Sequence, residues 1–268
     1  MMDYTSRYGL EYNPFVKNTR ESLVETSQYR EVSARLNYLH QIKGFGLLTG
    51  DPGVGKTTSL RNWMKTLNES ANKIIYVPLS TLTVLEFYRY LCYQLGSEPA
   101  YRKTENFRII QGSIERLVME KRMTPIIILD EANYLKSSTL NDLKILFNFD
   151  MDSTNKAVVL LTGLPQVSST LSMNMHEPLR QRIVMNYHIS ALSREESQVY
   201  LKDKMKRAGC RQEVFERNAL EAISNASNGI PRMIDKIANA SLLIGNQINE
   251  NIITADTVME AVNDSTIS

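Results

Sequence analysis

Nine consecutive residues near the start of the chain have the types and spacing of a phosphate-binding loop. They match the pattern G-x-x-x-x-G-K-[ST] in full and are Gly50, Asp51, Pro52, Gly53, Val54, Gly55, Lys56, Thr57 and Thr58. Glycines let a backbone turn tightly, so that its N–H groups can approach phosphate oxygens. In such a loop Lys56 reaches the β- and γ-phosphates, and the Thr57 hydroxyl binds Mg²⁺. These residues therefore predict a nucleotide site.

The segments on either side of the loop provide the setting that this chemistry needs. The apolar run 45–49 precedes the loop and predicts a buried strand, and the segment 60–67 that follows predicts a helix. Phosphate-binding loops occur in this order of strand, glycine-rich loop and helix. The N-terminus of the helix adds partial positive charge beside the phosphates.

Two adjacent carboxylates form a second chemical signature. Asp130 and Glu131 follow the apolar run 126–129, which predicts a parallel strand buried on both faces. Open α/β sheets place their ligands at the carboxyl ends of such strands. At this position Asp130 can hold Mg²⁺, directly or through water, and Glu131 can polarise an attacking water.

Four further polar residues stand at the ends of predicted strands and helices. Thr162 ends another predicted buried strand, where its hydroxyl can face the γ-phosphate or the water, and Arg180 and Arg182 lie at the end of a short predicted helix. Arg232 begins an amphipathic helix predicted over 229–244 and points away from its apolar stripe. A cation at a helix N-terminus is unfavourable unless an anion such as a phosphate lies beside it.

The order of the predicted elements indicates two domains. Apolar runs predict further strands at 74–79 and 185–189, with two helices instead of one between the second and third strands. Beyond residue 190 the strands stop and helices continue, which favours a separate helical domain. We therefore predict an α/β nucleotide-binding domain over 1–190, including an N-terminal segment at 1–27, and a helical lid over 191–268.

Composition restricts the surroundings and partners that we expect. The net charge is +2, so a nucleic-acid partner must be argued from local patches. The two cysteines and three histidines lack metal-ligand spacing, which favours a reduced compartment and makes a zinc site unexpected. No apolar run is long enough to span a bilayer, and the N-terminus lacks a signal core. We expect a cytoplasmic protein without a membrane partner.

Together these motifs resemble the AAA+ ATPases, and they follow that family's order over nearly the whole chain. The resemblance implies an α/β fold of the P-loop AAA+ type, with three α/β/α layers, a parallel five-stranded sheet and a small all-α lid domain. It also implies an ATPase that uses ATP and Mg²⁺. The extra helix between the second and third strands is similar to the initiator-type clade.

The same resemblance implies roles for the four polar residues. Thr162 stands at the sensor position, where the family often has Asn, so its part in positioning water is open. Arg182 is our choice for a finger that reaches the γ-phosphate of a neighbouring subunit, and Arg180 is the alternative. Arg232 is expected to act within its own subunit and to couple the lid to the nucleotide.

Within that clade the chain is similar to the ExeA/GspA-like group, through the segment 8–15 and the sequence Asp130-Glu131-Ala132. That group includes secretion ATPases, whose membrane segment and periplasmic extension we do not expect here, and ATP-binding transposition helpers of the TniB, TnsC and IstB type. We favour a transposition helper. The alternatives are a secretion-assembly ATPase, a replication initiator or helicase loader, and a protein whose nucleotide only stabilises the fold.

A basic segment in the extra helical insertion is the candidate contact with DNA. Arg102 and Lys103 can meet the phosphate backbone and Thr104 can add a hydrogen bond, which positions a protein on double-stranded DNA without reading sequence. In related initiator-type proteins this insertion faces the central channel. One subunit offers too few charges for tight binding, so we expect an ATP-assembled homo-oligomer, as a ring or a helical filament, that recruits and stimulates a transposase. ATP hydrolysis would then control disassembly.

Overall fold

The computed structural model describes residues 4–16, 23–78 and 81–265 of the chain, without the side chains of Asp152 and Ser265. Within these residues five strands form one parallel sheet in the order β2-β3-β4-β1-β5. The strands are β1 (Gly44–Gly50), β2 (Asn72–Val77), β3 (Thr124–Leu129), β4 (Val158–Gly163) and β5 (Ile183–Ile189). The predicted parallel five-stranded sheet is confirmed. Leu79, the last residue of the strand predicted at 74–79, lies outside the described residues.

The chain divides into two compact units. The sheet unit comprises Glu31–Pro52 and Lys56–Ile189, and the helical unit comprises Met1–Arg30, Gly53–Gly55 and Ser190–Ser268. The helices before β5 are α1 (Ser27–Ile42), α2 (Lys56–Thr66), α3 (Val84–Gln94), α4 (Lys103–Met119), α5 (Ser137–Leu146), α6 (Gln166–Leu171) and α7 (Glu177–Arg180). Those after it are α8 (Arg194–Arg207), α9 (Arg217–Ser227), α10 (Pro231–Gln247) and α11 (Ala255–Ser265).

Helices cover both faces of the sheet. Side chains alternate between the two faces along each strand, so each face can be followed separately. On one face the odd-numbered residues of β1, such as Phe45 and Leu47, join a core with buried side chains of α3, α4 and α5. On the other face Gly46 lies so close to α1 that a Cβ there would approach the Leu39 side chain to 2.4 Å. The sheet therefore has helices on both sides, in the three layers that the fold class requires.

The N-terminal segment belongs to the helical unit and not to the sheet domain in which we placed 1–27. Tyr4 and Tyr8 are buried in the core of that unit. The Tyr4 hydroxyl donates to Asn239 Oδ1 at 2.7 Å, and the Tyr8 hydroxyl donates to the Glu250 carbonyl at 2.9 Å. A tyrosine side chain has a large apolar area to bury and one hydroxyl that needs a partner, and the helical unit provides for both. Residues 1–3 and 17–22 of this segment lie outside the described residues.

The apolar stripe of α1 is not buried along its whole length. Val32, Leu36 and Leu39 of α1 face the core as the periodicity indicates, but Ile42 is 38% exposed. The helix ends at Ile42, and Lys43 has a left-handed backbone with φ of 59°. Where the chain turns away after Lys43, the last residue of the helix no longer packs on the core. Helical periodicity alone does not indicate this turn.

Candidate functional site

The register of three neighbouring strands brings the predicted chemical groups to one edge of the sheet. Thr162 of β4 pairs with Leu48 of β1, just before the phosphate-binding loop. Leu161 of β4 pairs with Leu129 of β3, which Asp130 directly follows. The loop, the Thr162 hydroxyl and the Asp130 carboxylate therefore share the carboxyl edge, where open parallel sheets hold ligands.

Lys56 is the first residue of α2, and its side chain returns to the loop. The residue is only 7% exposed, and its ammonium donates to the Gly50 carbonyl at 2.7 Å and to the Asp51 carbonyl at 3.0 Å. Burying a cation without such acceptors is costly, so these contacts hold the side chain inside the loop. Gly55 has φ of 108°, and a Cβ there would meet no atom within 4 Å, so open space adjoins the loop.

Position 53 requires glycine because another residue of the helical unit, Arg232, approaches it closely. The Arg232 backbone N–H donates to the Gly53 carbonyl at 3.3 Å. A Cβ on Gly53 would lie 2.8 Å from the Cβ of Arg232, closer than van der Waals contact permits. Arg232 lies in the first turn of α10, and its side chain is exposed, as the predicted helix indicated.

Asp130 is held by two hydrogen bonds at the end of β3. It is 5% exposed, its Oδ1 accepts from the Glu131 backbone N–H at 2.9 Å, and its Oδ2 accepts from the Tyr76 hydroxyl. Burial, and next the hydrogen bond to Asp130, raise the pKa of Tyr76 well above its usual range. Tyr76 was not among the predicted site residues. It pairs with Ile128 near the end of the neighbouring strand, and no pattern in the sequence indicates that pairing.

Glu131 has a backbone conformation that residues with a side chain seldom adopt. Its φ is 50° and its ψ is 42°, which is the left-handed region, and its side chain is exposed. For a residue other than glycine this conformation costs about 1–2 kcal/mol, and such residues cluster at functional sites. The turn directs the chain from β3 into a short 3₁₀ segment at Ala132–Tyr134.

Among the described residues, Thr162 is the one predicted site residue with a buried side-chain polar atom that has no hydrogen-bond partner. Its side chain is fully buried, and among the described residues its Oγ1 finds no hydrogen-bond partner. The neighbouring loops are tied together by Asn133, whose Oδ1 accepts from the Leu164 N–H at 3.0 Å. A Cβ on Gly163 would lie 2.6 Å from this Oδ1, so the contact needs glycine there. Asn133 was also missed by the sequence analysis.

The two arginines of the finger prediction differ in how firmly they are held. Arg182 donates to the Lys144 carbonyl at 2.7 Å and to the Phe147 carbonyl at 3.3 Å, at the C-terminal end of α5. A guanidinium there satisfies carbonyls that the helix leaves without partners. Arg180 pairs with Glu177, and its side chain is 44% exposed. Arg180 is thus the more exposed of the two, and the choice of Arg182 or Arg180 as the finger stays a prediction.

The predicted basic loop is shorter than expected, because α4 begins at Lys103. Lys103 and Thr104 are therefore helical, and only Arg102 precedes the helix. The cause is the buried Asn106, whose side chain accepts from the Ala100 N–H at 2.8 Å and donates to the Ala100 carbonyl at 2.9 Å. These two bonds fold the chain directly into the first turn.

The two cations of this segment, Arg102 and Lys103, also differ in their contacts. The Lys103 ammonium forms an ion pair with the Asp142 carboxylate and lies 5.4 Å from the centre of the Tyr88 ring. Because of these two contacts, the Lys103 ammonium should bind another anion less favourably. Arg102 and Thr104 are exposed. Of the three predicted DNA contacts, Arg102 is the cation best placed to meet a phosphate.

The residues at the carboxyl edge fit a nucleotide with Mg²⁺. The Thr57 hydroxyl and the Asp130 carboxylate are oxygen ligands of the kind that Mg²⁺ prefers. Over residues 4–16, 23–78 and 81–265, no group of three or more His, Cys, Asp or Glu side chains could hold a metal ion. Mg²⁺ needs few protein ligands when phosphate oxygens supply the others.

No helix in the described part of the chain is long and apolar enough to cross a membrane.

Comparison with known sequences and structures identifies the class. Residues 39–171 match the sequence profile of a family described as an AAA domain, and the chain thus carries an AAA domain. The Cdc6p structure from Pyrobaculum aerophilum superposes with a TM-score of 0.72 at 17% identity, covering 95% of this chain and 72% of that one. The Aeropyrum pernix ORC2 protein in ADPNP–ADP complexes gives 0.68 at 19%, covering 96% and 72%. At these identities the structures show the fold alone.

Two curated relatives are similar over different shares of the chain. General secretion pathway protein A of Aeromonas hydrophila is 30% identical over 247 residues, which cover 90% of this chain and 44% of that protein. The ATP-dependent target DNA activator B of Escherichia phage Mu is 28% identical over 141 residues, covering 52% and 41%. The chain thus spans less than half the length of either relative. The predicted resemblance to AAA+ proteins of the ExeA/GspA-like and transposition-helper kind is confirmed.

Proposed function

We propose that this protein is an ATP-hydrolysing, oligomerising protein that binds double-stranded DNA and recruits and stimulates a transposase. The observation that carries the proposal is the shared carboxyl edge of β1, β3 and β4, next to which Lys56, Asp130 and Thr162 lie, in a chain similar to a phage ATP-dependent target DNA activator. The fold supports a nucleotide site, and the relative's name supports DNA as the partner. Hydrolysis would control disassembly from DNA.

The residues of the site divide the work of phosphoryl transfer. Lys56 would exchange the carbonyls of Gly50 and Asp51 for phosphate oxygens and neutralise their charge. Thr57 and Asp130 would hold Mg²⁺, which when bound offsets the negative charge of the phosphates. Glu131 would orient a water and accept its proton as the water oxygen bonds to the γ-phosphorus and the bond to ADP breaks.

Assembly would bring a second subunit to this site. Arg180, whose guanidinium is exposed apart from its contacts to Glu177 and the Ser172 carbonyl, would reach the γ-phosphate of a neighbouring copy. An arginine supplied in this way can raise the rate of hydrolysis about 10³–10⁵-fold. Arg232 would act in its own subunit and couple the nucleotide state to assembly. Double-stranded DNA would then meet one Arg102 from each subunit, which multiplies a weak contact.

Three substitutions test the nucleotide chemistry. Lys56→Ala should abolish binding of a fluorescent ATP analogue, because phosphate charge stays uncompensated. Glu131→Gln should keep the affinity but lower phosphate release by about 10²–10⁴-fold, because an amide cannot accept the proton. Glu131→Asn should behave in the same way, since Asn tolerates the left-handed backbone. The exposed Glu69→Gln is the matched control. Equal phosphate release by Glu131→Gln and the parent would refute the assignment of Glu131.

A second candidate function is a secretion-assembly ATPase. The similarity to general secretion pathway protein A over 90% of this chain favours it. Binding to double-stranded DNA distinguishes the two proposals. Electron microscopy of the protein with duplex DNA and a non-hydrolysable ATP analogue should show rings or filaments on the DNA. If the protein binds and hydrolyses ATP but binds no DNA at low salt, the secretion proposal replaces the proposal of a DNA-binding protein that recruits a transposase.

A further inference from the structure

The helical unit contains a groove that the nucleotide chemistry does not use. It lies along the C-terminal half of α8 and the segment 209–215, and its volume is about 620 Å³. Binding sites for small ligands and side chains have volumes of about 300–1,000 Å³. The groove has an apolar floor of buried side chains, namely Leu201, Met205, Val214, Phe215 and Leu220.

The rim of this groove is mainly basic. Its cations are Lys202, Lys206, Arg207 and Arg211. Lys202 lies 3.8 Å from the Glu213 carboxylate, and Arg207 donates to Asp203 at 3.0 Å. Lys206 and Arg211 are exposed, and neither has an ion pair or hydrogen bond with any side chain in the described part of the chain. The rim thus has two cations that form no ion pair with another described side chain.

The wall of the groove is preformed. The Glu11 backbone N–H donates to the Ala208 carbonyl at 2.7 Å, which fixes the N-terminal segment against the end of α8. Gly209 has φ of 96°, and a Cβ there would lie 2.8 Å from the Glu11 side chain, so the approach depends on glycine. The Cys210 thiol donates to the Gln212 carbonyl at 3.3 Å. A site that needs no ordering loses less free energy when a ligand binds.

We propose that this groove binds a short segment of a partner protein in which apolar side chains are flanked by carboxylates. The apolar floor requires apolar side chains, and Met205 can adapt its shape to them. Lys206 and Arg211 would pair with the flanking carboxylates, which gives the charge complementarity typical of protein interfaces. The proposal concerns the helical unit alone and does not depend on the nucleotide site.

A nucleic acid fits the same groove poorly. Its backbone carries a phosphate at every nucleotide, and the carboxylates of Glu11 and Glu213 lie on the rim beside the cations. A phosphate chain would meet both signs of charge and would leave the apolar floor unused. A peptide can place its carboxylates opposite Lys206 and Arg211 only, and its backbone N–H groups can donate to the two rim carboxylates.

Fluorescence anisotropy with the full chain, without nucleotide or DNA, tests the proposal. The probe is a fluorescein-labelled peptide of 12 residues, in which Leu and Phe alternate with Glu. We expect saturable binding, about tenfold weaker for Lys206→Glu/Arg211→Glu because two favourable charge pairs become repulsive. Arg194→Glu, at the other end of α8, is the matched control and should bind as the parent does. Peptides with Lys for Glu, or with Ser for Leu and Phe, should not bind.

A second measurement locates the bound peptide. With ¹³C-methyl-labelled methionine, the Met205 resonance, identified by its loss in Met205→Leu, should shift when the peptide is added. The proposal is overturned if the peptide does not bind, if the double charge reversal binds it as tightly as the parent, or if the Met205 resonance stays in place. It is also overturned if the double reversal abolishes binding to duplex DNA while the peptide binds neither protein, because the rim would then be a nucleic-acid surface.

Discussion

Replacing Thr162 by Val should make the protein more stable and less active. Thr162 is fully buried in β4, and its hydroxyl has no hydrogen-bond partner among the described residues. An unsatisfied buried hydroxyl costs about 1–3 kcal/mol, and Val fills nearly the same space without that cost. We expect the free energy of unfolding of the sheet unit to rise by about 1 kcal/mol or more. For a domain of this size each kcal/mol raises Tm by about 2–4 °C.

Activity should change in the opposite direction if the hydroxyl meets the γ-phosphate or the attacking water. A hydrogen bond to a charged group contributes about 1.5–3 kcal/mol. If that bond forms in the transition state, its loss lowers kcat by about 10–100-fold. The affinity for ATP should change less, because Lys56 and the loop carry most of the contact with the phosphates.

Calorimetry without nucleotide and phosphate release at saturating ATP and Mg²⁺ measure the two effects. Thr139→Val is the matched control, since Thr139 of α5 is also fully buried and its Oγ1 also has no partner in the described part of the chain. This control should raise Tm and leave kcat unchanged. If Thr162→Val lowers Tm, the hydroxyl has a partner in the folded protein. If it raises Tm with kcat unchanged, Thr162 has no part in hydrolysis, and the reasoning fails.

Three further predictions concern the arginines. Phosphate release by a mixture of Arg180→Ala and Lys56→Ala should exceed the sum of the rates of the two variants alone. Arg182→Ala should instead lower Tm, because its contacts with α5 are lost. If Arg182→Ala but not Arg180→Ala restores activity in the mixture with Lys56→Ala, the assignment is reversed. Arg232→Ala should bind a non-hydrolysable ATP analogue without assembling, as light scattering would show, and normal assembly would contradict its coupling role. In filter binding against salt, Arg102→Ala should weaken duplex binding for all sequences and flatten the salt slope more than Lys103→Ala does; parental binding by both would place the DNA contacts elsewhere.

The parts of the site that the sequence predicted depend on local patterns. The loop with Lys56 lies between a strand and a helix that its own flanking residues predict. Asp130 follows an apolar run long enough to identify a buried strand. Each of these groups takes its place from the element it terminates, and the parallel register then aligns the strand ends. For this reason the fold class and the grouping at the carboxyl edge followed from the sequence.

The parts that could not be predicted depend on contacts between distant segments. Arg182 is separated by 38 and 35 residues from the carbonyls that hold it, and no pattern around the arginine indicates them. Tyr76 meets Asp130 across 54 residues, through strand order that periodicity does not provide. The burial of Tyr8 in the helical unit likewise depends on packing 242 residues away along the chain. Apolar periodicity shows that a face is buried, but not which segment covers it.

The contacts within the site explain why its groups need not respond alike to a nucleotide. Lys56 and Asp130 already have protein partners, the loop carbonyls and the Tyr76 hydroxyl, so binding phosphates and Mg²⁺ exchanges one set of contacts for another. The free energy of that exchange is a difference between similar terms. The Thr162 hydroxyl has no described partner to lose, so any contact with phosphate or water is a full gain. Of these three groups, the Thr162 hydroxyl is therefore the one that we expect to gain most from a contact with phosphate or water.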